Sequence, residues 1–178
     1  VARVDCRASA LRVRGGGAGG GGPQLQLAIA AILARAAAGF TPSSKAELKA
    51  ATDAWMSDAT AAEATYGHIS GWDTSLITDM SWLFCGYDYT GSLSYYQNYY
   101  SECDPAYQYF NEAIGNWSVG AVTDMSYAFW RASSFNQDIG AWNVGAVTDM
   151  SEMFVDALSF DQDIVAWNDG ADVSYTHL

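Results

Sequence analysis

Positive charge is scarce in this chain, histidine is scarcer, and no apolar run is long. Five of the eight lysines and arginines fall within residues 1–40, so residues 41–178 hold only Lys45, Lys49 and Arg131 against nineteen acids, a net charge of −16. A surface of that sign repels phosphate backbones and anionic headgroups, which argues against nucleic acid and membrane surfaces as partners. His68 and His177 are the only histidines, and neither has an evident partner for a nucleophilic triad. No zinc-type Cys/His spacing and no D-x-D-x-D-G calcium loop occurs. The one apolar stretch near the front, Leu25 to Ala34, has about half of the ~20 residues that a membrane-crossing helix needs, so no membrane insertion of the mature domain is expected.

What precedes and follows that stretch reads as an address. Arg3, Arg7, Arg12 and Arg14 lead into a glycine run, Arg35 closes the apolar segment, and Ala36 and Ala38 form an A-x-A site. Residues 1–38 are therefore expected to be a secretory signal peptide or, alternatively, a disordered Gly-rich arm with a short Ala-rich helix. Cleavage after Ala38 would discard Cys6 and leave Cys85 and Cys103 as an even pair. In an oxidising compartment these two close a loop, and otherwise they stand as two buried thiols. The sequon Asn116-Trp117-Ser118 is a candidate glycosylation site that fits secretion.

Residues 39–65 are expected to form an N-terminal capping helix region. Ser44 and Glu47 make a capping box, and Leu48, Ala51 and Trp55 fall on one stripe. Residues 66–178 repeat. "FNEAIGNWSVGAVTDMSYAF" at 110–129 recurs as "FNQDIGAWNVGAVTDMSEMF" at 135–154, with Phe, Ile and Trp again 25 residues on at Phe160, Ile164 and Trp167. An earlier copy, "HISGWDTSLITDMSWLF" at 68–84, is separated from these by a tyrosine-rich insertion at 85–109. A period near 25 is that of stacked units, none of which buries its apolar face alone. The expected fold class is an α/β repeat solenoid: a leucine-rich-repeat-like stack of strand, turn and short helix, in which Ile139 points in from "QDIGAW" and Asp149 caps a helix over "TDMSEMF". Asp169 and Asp172 replace the valines at 144 and 147 and would give the stack a polar end.

These units, through "FNQDI", "W" and "VTDMS" followed by "MF", resemble the repeats of BspA-like leucine-rich surface proteins, also described as mycoplasma-type lipoprotein repeats. The likeness covers residues 66–168, and "FTPSSKAELKAATDAW" is similar to the helix that often precedes them. The resemblance implies a secreted or surface-attached repeat protein used in adhesion or ligand binding, with no catalytic residue.

The insertion is the most individual stretch, holding eight of the eleven tyrosines among Ser, Gly, Asn and Gln. That mixture offers flat contact area with adaptable hydrogen bonding. Tyr95, Tyr96, Tyr99 and Tyr100 are expected to contact an extracellular saccharide or a surface protein, the alternative being rings that only wrap an edge of the stack. Asp79, Asp124 and Asp149 form a column, each with a cap to make. Asp138 and Asp163 would face outward from adjacent strands, where a bridging calcium ion, with Asp161 as a further ligand, would relieve their repulsion. No other cofactor is implied. The expected function is that of a non-catalytic binding module of a secreted or surface protein; the competing readings are an intracellular protein-interaction scaffold and a hydrolase working through a carboxylate pair.

Overall fold

The computed structural model describes residues 39–87 and 103–169. The signal-like segment 1–38, Tyr95, Tyr96, Tyr99, Tyr100, Asp172 and His177 lie outside them.

The chain enters through helix α1, Lys45–Ser57, where the Ser44 side chain accepts from the Glu47 amide and Glu47 accepts from the amide and hydroxyl of Ser43. Its Leu48, Ala51 and Trp55 are buried as the apolar stripe requires. Asp58 ends α1 and caps α2, Ala59–Tyr66, by accepting from the Ala61 amide; Gly67, at φ 74°, then turns the chain out of the helix. The buried stripe of α1 belongs to the same apolar cluster as the repeats. Lys45 reaches from its first turn to Asp79, at 3.0 Å, and to the Ser81 hydroxyl of the first copy.

The expected α/β solenoid of leucine-rich-repeat type does not form. Among the described residues there is no strand, α1 and α2 are the only α-helices, and the repeats are runs of turns with short 3-10 segments at Ile69–Gly71, Pro105–Tyr109 and Val165–Asp169. The reason is local. In "QDIGAW" the Asp138 carboxylate accepts from the Gly140 amide, which bends the chain, and the Trp142 amide then closes onto the Ile139 carbonyl at 3.0 Å. Such side-chain-to-backbone bonds compete with an extended ladder and here they win. Over "TDMSEMF" the Met153 amide bonds the Met150 carbonyl, and Glu152 sits at φ 55°. A right-handed α-helix cannot run through a left-handed residue.

The copies nevertheless stack in register. The amides of Met80, Trp82, Phe84 and Gly86 donate to the carbonyls of Asp124, Ser126, Ala128 and Trp130, and those of Met125, Tyr127, Phe129 and Arg131 to Asp149, Ser151, Met153 and Val155, all at 2.8–3.1 Å. The aspartate column is real: Asp79, Asp124 and Asp149 meet as parallel bridges. Each carboxylate accepts the amide of its own Ser81, Ser126 or Ser151 at 2.8 Å, so it shapes a turn rather than capping an α-helix.

Between the copies runs a ladder of rings. Phe84, Phe129 and Phe154 stack at 5.1 and 5.5 Å, while Phe110, Phe135 and Phe160 stack at 5.9 and 5.8 Å. The two columns interleave at 4.1–4.2 Å. Trp117 and Trp142 donate their indole N–H to the Ile69 and Ile114 carbonyls of the preceding copy, so these polar edges are satisfied inside the core. Neighbouring copies lie so close that a side-chain carbon on Gly115 or Gly140 would come within 2.3 or 2.4 Å of the Asp138 or Asp163 carbonyl oxygen. The space among Met80, Phe84, Met125, Phe129 and Trp142 holds no room for a water molecule. That space between the first three copies is therefore packing and no ligand site.

Candidate ligand-binding edge

Cys85 and Cys103 form a disulfide with their Cα atoms 4.7 Å apart. The insertion thus leaves and rejoins the stack at one place. Its return is fixed by the Asp104 amide on the Cys85 carbonyl, by Gln108, whose side chain donates to the Tyr87 carbonyl, and by the Ser134 amide on the Gln108 carbonyl. Tyr107 anchors it further: its buried hydroxyl donates to Asp53 at 2.7 Å and lies 2.9 Å from the Thr52 hydroxyl, while the Lys49 ammonium sits 4.7 Å from its ring centre. Burial pushes the Tyr107 hydroxyl far above the ordinary tyrosine range, and the Asp53 carboxylate adds to that rise against the opposing Thr52 bond.

The disulfide belongs to a second apolar cluster, separate from the ring ladder. Cys85, Cys103 and Trp130 are buried in it, and Trp82, Tyr87, Tyr127 and Val155 pack against them half-exposed. The rings of Trp82 and Tyr127 lie flat on each other at 3.9 Å and 7°, and Trp82 meets Trp130 edge-on. Arg131 covers Trp130, its guanidinium carbon 4.5 Å from the ring centre, and bonds Asp156 of the next copy at 3.1 Å.

The backbone explains why these side chains share an edge. Trp82, Tyr127 and Glu152 are equivalent residues of three copies, with φ of 60°, 58° and 55°; Arg131 and Asp156, at 56° and 58°, are another equivalent pair. Left-handed backbone costs a non-glycine residue on the order of 1–2 kcal/mol. These five positions, in two columns of the stack, thus carry non-glycine side chains at a cost in backbone strain.

The other sequence candidates stand apart. Asp138 and Asp163 are exposed, but each carboxylate accepts the amide two residues ahead, from Gly140 and Val165, and turns the chain. The Asp161 amide donates to the Asn136 side chain. Among the described residues no three His, Cys, Asp or Glu side chains gather where they could hold a metal ion. Asn116 is exposed in a turn, followed by buried Trp117 and exposed Ser118. At Asp79, burial would raise the pKa, but the hydroxyl and amide of Ser81 and the ammonium of Lys45 outweigh it and hold the carboxyl below its ordinary range. The His68 ring faces Ser70, with Nδ1 2.8 Å from its hydroxyl. No described helix is long and apolar enough to cross a membrane.

Trp82, Tyr127, Trp130, Arg131, Glu152 and Asp156 were not visible as a group from sequence. The signal available was in the aligned copies: position 84 stays Phe at 129 and 154, whereas position 82 changes from Trp to Tyr to Glu.

Residues 54–99 and 98–177 each match the family described as "Mycoplasma protein of unknown function, DUF285". The chain belongs to that family. The two matches take in most of the repeats and part of the helical region, so the mycoplasma-type side of the resemblance holds, while the family description assigns no ligand. Comparison with the curated proteins and with the solved structures gave no match.

Proposed function

We propose that this chain is a non-catalytic binding module of a secreted or cell-surface protein of the BspA-like kind, recognising a saccharide or a protein partner. The observation that carries the reading is the aromatic edge of Trp82, Tyr127 and Trp130 at the foot of a disulfide-closed insertion rich in tyrosine. Large flat side chains held by a rigid scaffold beside a loop are the composition of a recognition surface. The disulfide favours an oxidising compartment, and the exposed sequon at Asn116 fits the same place.

The test uses the oxidised full chain on arrays of glycans and extracellular proteins. Capture of a defined ligand is expected, with affinity falling about tenfold or more in the Tyr96→Ala/Tyr99→Ala variant and in Trp82→Ala, and the melting temperature of the first nearly unchanged. Failure to capture any ligand, or variants that bind like the parent, would overturn the reading.

A further inference from the structure

The hydrogen bonds that join the copies follow an alternation, and it breaks off at the last one. In the middle copy the amides of Ala128 and Trp130 turn back to the Met125 and Tyr127 carbonyls of their own copy, whereas those of Met125, Tyr127, Phe129 and Arg131 reach the carbonyls of the next. Residues Met150 to Asp156 keep only the first half of this pattern. Met153 and Val155 bond the Met150 and Glu152 carbonyls at 3.2 and 3.4 Å, but among the described residues the amides of Met150, Glu152, Phe154 and Asp156 meet no acceptor. Four donors at two-residue spacing are left along one edge.

The apolar residues beside that edge are also less covered than their equivalents. Phe110, Phe135, Ile114 and Ile139 are fully buried, whereas Phe160 and Ile164 are half-buried and Val165 is 70% exposed. Val165 matters for what the edge accepts. It stands where Gly115 and Gly140 admit the carbonyl of the following copy, and a side-chain carbon at either glycine would come within 2.4 Å of that oxygen. A whole further copy in the same register therefore clashes with Val165, while a single segment laid along 150–156 does not reach it. The other end of the stack is closed: α1 places its stripe in the core there, and Lys45 bonds Asp79 and Ser81 of the first copy. A second copy of this chain thus offers a helix, not a matching row of carbonyls, to the open edge.

We propose that Met150–Asp156 is a docking edge for a segment of another protein, laid parallel to it with alternate carbonyls bonded to the four amides. The molecule holds two examples of what satisfies such an edge, at 124–130 and 149–155, and both are polypeptide in parallel pairing. An unpaired row of backbone donors is a template for another chain, with the backbone bonds giving affinity and side-chain slots giving selectivity. The slots here are apolar and four residues apart, as filled by Met125 and Phe129 in the copy before. This surface is the end of the stack and is independent of the aromatic edge, so either can fail without the other.

The experiment follows amide hydrogen exchange by NMR in the oxidised full chain, alone and with a synthetic peptide copying residues 122–131, "VTDMSYAFWR", which presents those carbonyls and is neutral overall. In the free chain the amides of Met150, Glu152, Phe154 and Asp156 are expected to exchange fast and those of Met125, Tyr127, Phe129 and Arg131 slowly. The peptide at about 1 mM should slow the first four about tenfold or more, and a scrambled peptide of the same composition should not. Slow exchange of the four in the free chain would mean that the edge is already covered, by residues of the same chain or by a second copy, and would overturn the proposal. So would fast exchange that the peptide leaves unchanged, equal protection by the scrambled peptide, or protection confined to other amides.

Discussion

Phe84, Phe129 and Phe154 sit two residues beyond Trp82, Tyr127 and Glu152, on the same backbone pattern, repeated three times. The inner set is invariant and the outer set changes at every copy. The inner ring of each copy is the surface on which the next copy's ring lies, at 5.1 and 5.5 Å, so a change in one must be answered by its neighbours. The outer position also pairs Trp82 with Tyr127, at 3.9 Å, but tolerates a change from one aromatic to another and then to Glu152, which the inner column does not show. Within one chain, repetition therefore records packing and variation along a column records what the stack presents. The strained backbone at the outer position strengthens that distinction, because glycine would satisfy it more cheaply than Trp, Tyr or Glu.

The largest expected effect breaks the inner column at its centre. Phe129 stacks with Phe84, Phe135 and Phe154, so Phe129→Ala removes a ring shared by three copies. A cost of about 3–5 kcal/mol is expected, read as a drop in the denaturant midpoint. Trp82→Ala, two residues before an equivalent ring, should cost distinctly less. Equal costs would show that the outer rings are part of the same core and that the contrast between the columns is false.

A smaller effect is expected at Tyr107, which repetition does not explain and which is as buried as the ladder. Tyr107→Phe loses the bonds to Asp53 and Thr52, a cost of about 1–2 kcal/mol. Its pH dependence has a definite sign. An unfolded tyrosine ionises near 10, while burial first and Asp53 next keep the folded hydroxyl protonated well beyond that. Above about pH 10 the unfolded chain holds fewer protons than the folded one, and the parent loses stability as pH rises. The Phe variant should lose it less steeply, by thermal melts from pH 9 to about pH 11. Parallel curves would mean that this hydroxyl titrates as freely in the folded chain as in the unfolded one.

How much of this was legible depends on whether the residue repeats. Ser44 and Glu47 marked the start of α1, and the spacing of Phe, Ile and Trp gave the registration of the copies, because both signals follow from rules that hold without tertiary context. The pairing of Cys85 with Cys103 was one of two open readings. The conformation inside a copy was misread. "QDIGAW" alternates like a strand, but Asp138 followed by Gly140 is also a turn, and nothing in six residues says which hydrogen bonds prevail. The edge was less legible still, since positive φ at Trp82, Tyr127 and Glu152 contradicts what those residue types prefer in isolation.

The smallest expected effect sharpens the contrast most. If Glu152 is kept for what it presents, then Glu152→Gly should relieve the left-handed backbone and leave stability unchanged or raised by up to about 1 kcal/mol, even though a charged side chain has been deleted. The opposing term is the greater freedom of glycine in the unfolded chain, which sets the gain below the full strain. Binding of the ligand captured on the glycan and protein arrays should fall at the same time, because the carboxylate is gone. Stability and binding moving in opposite directions from one substitution is the signature of a residue retained for recognition. A loss of more than about 1 kcal/mol would instead make Glu152 part of the packing, and the outer column would then be structural in its third copy, with recognition confined to the Trp82 and Tyr127 rings.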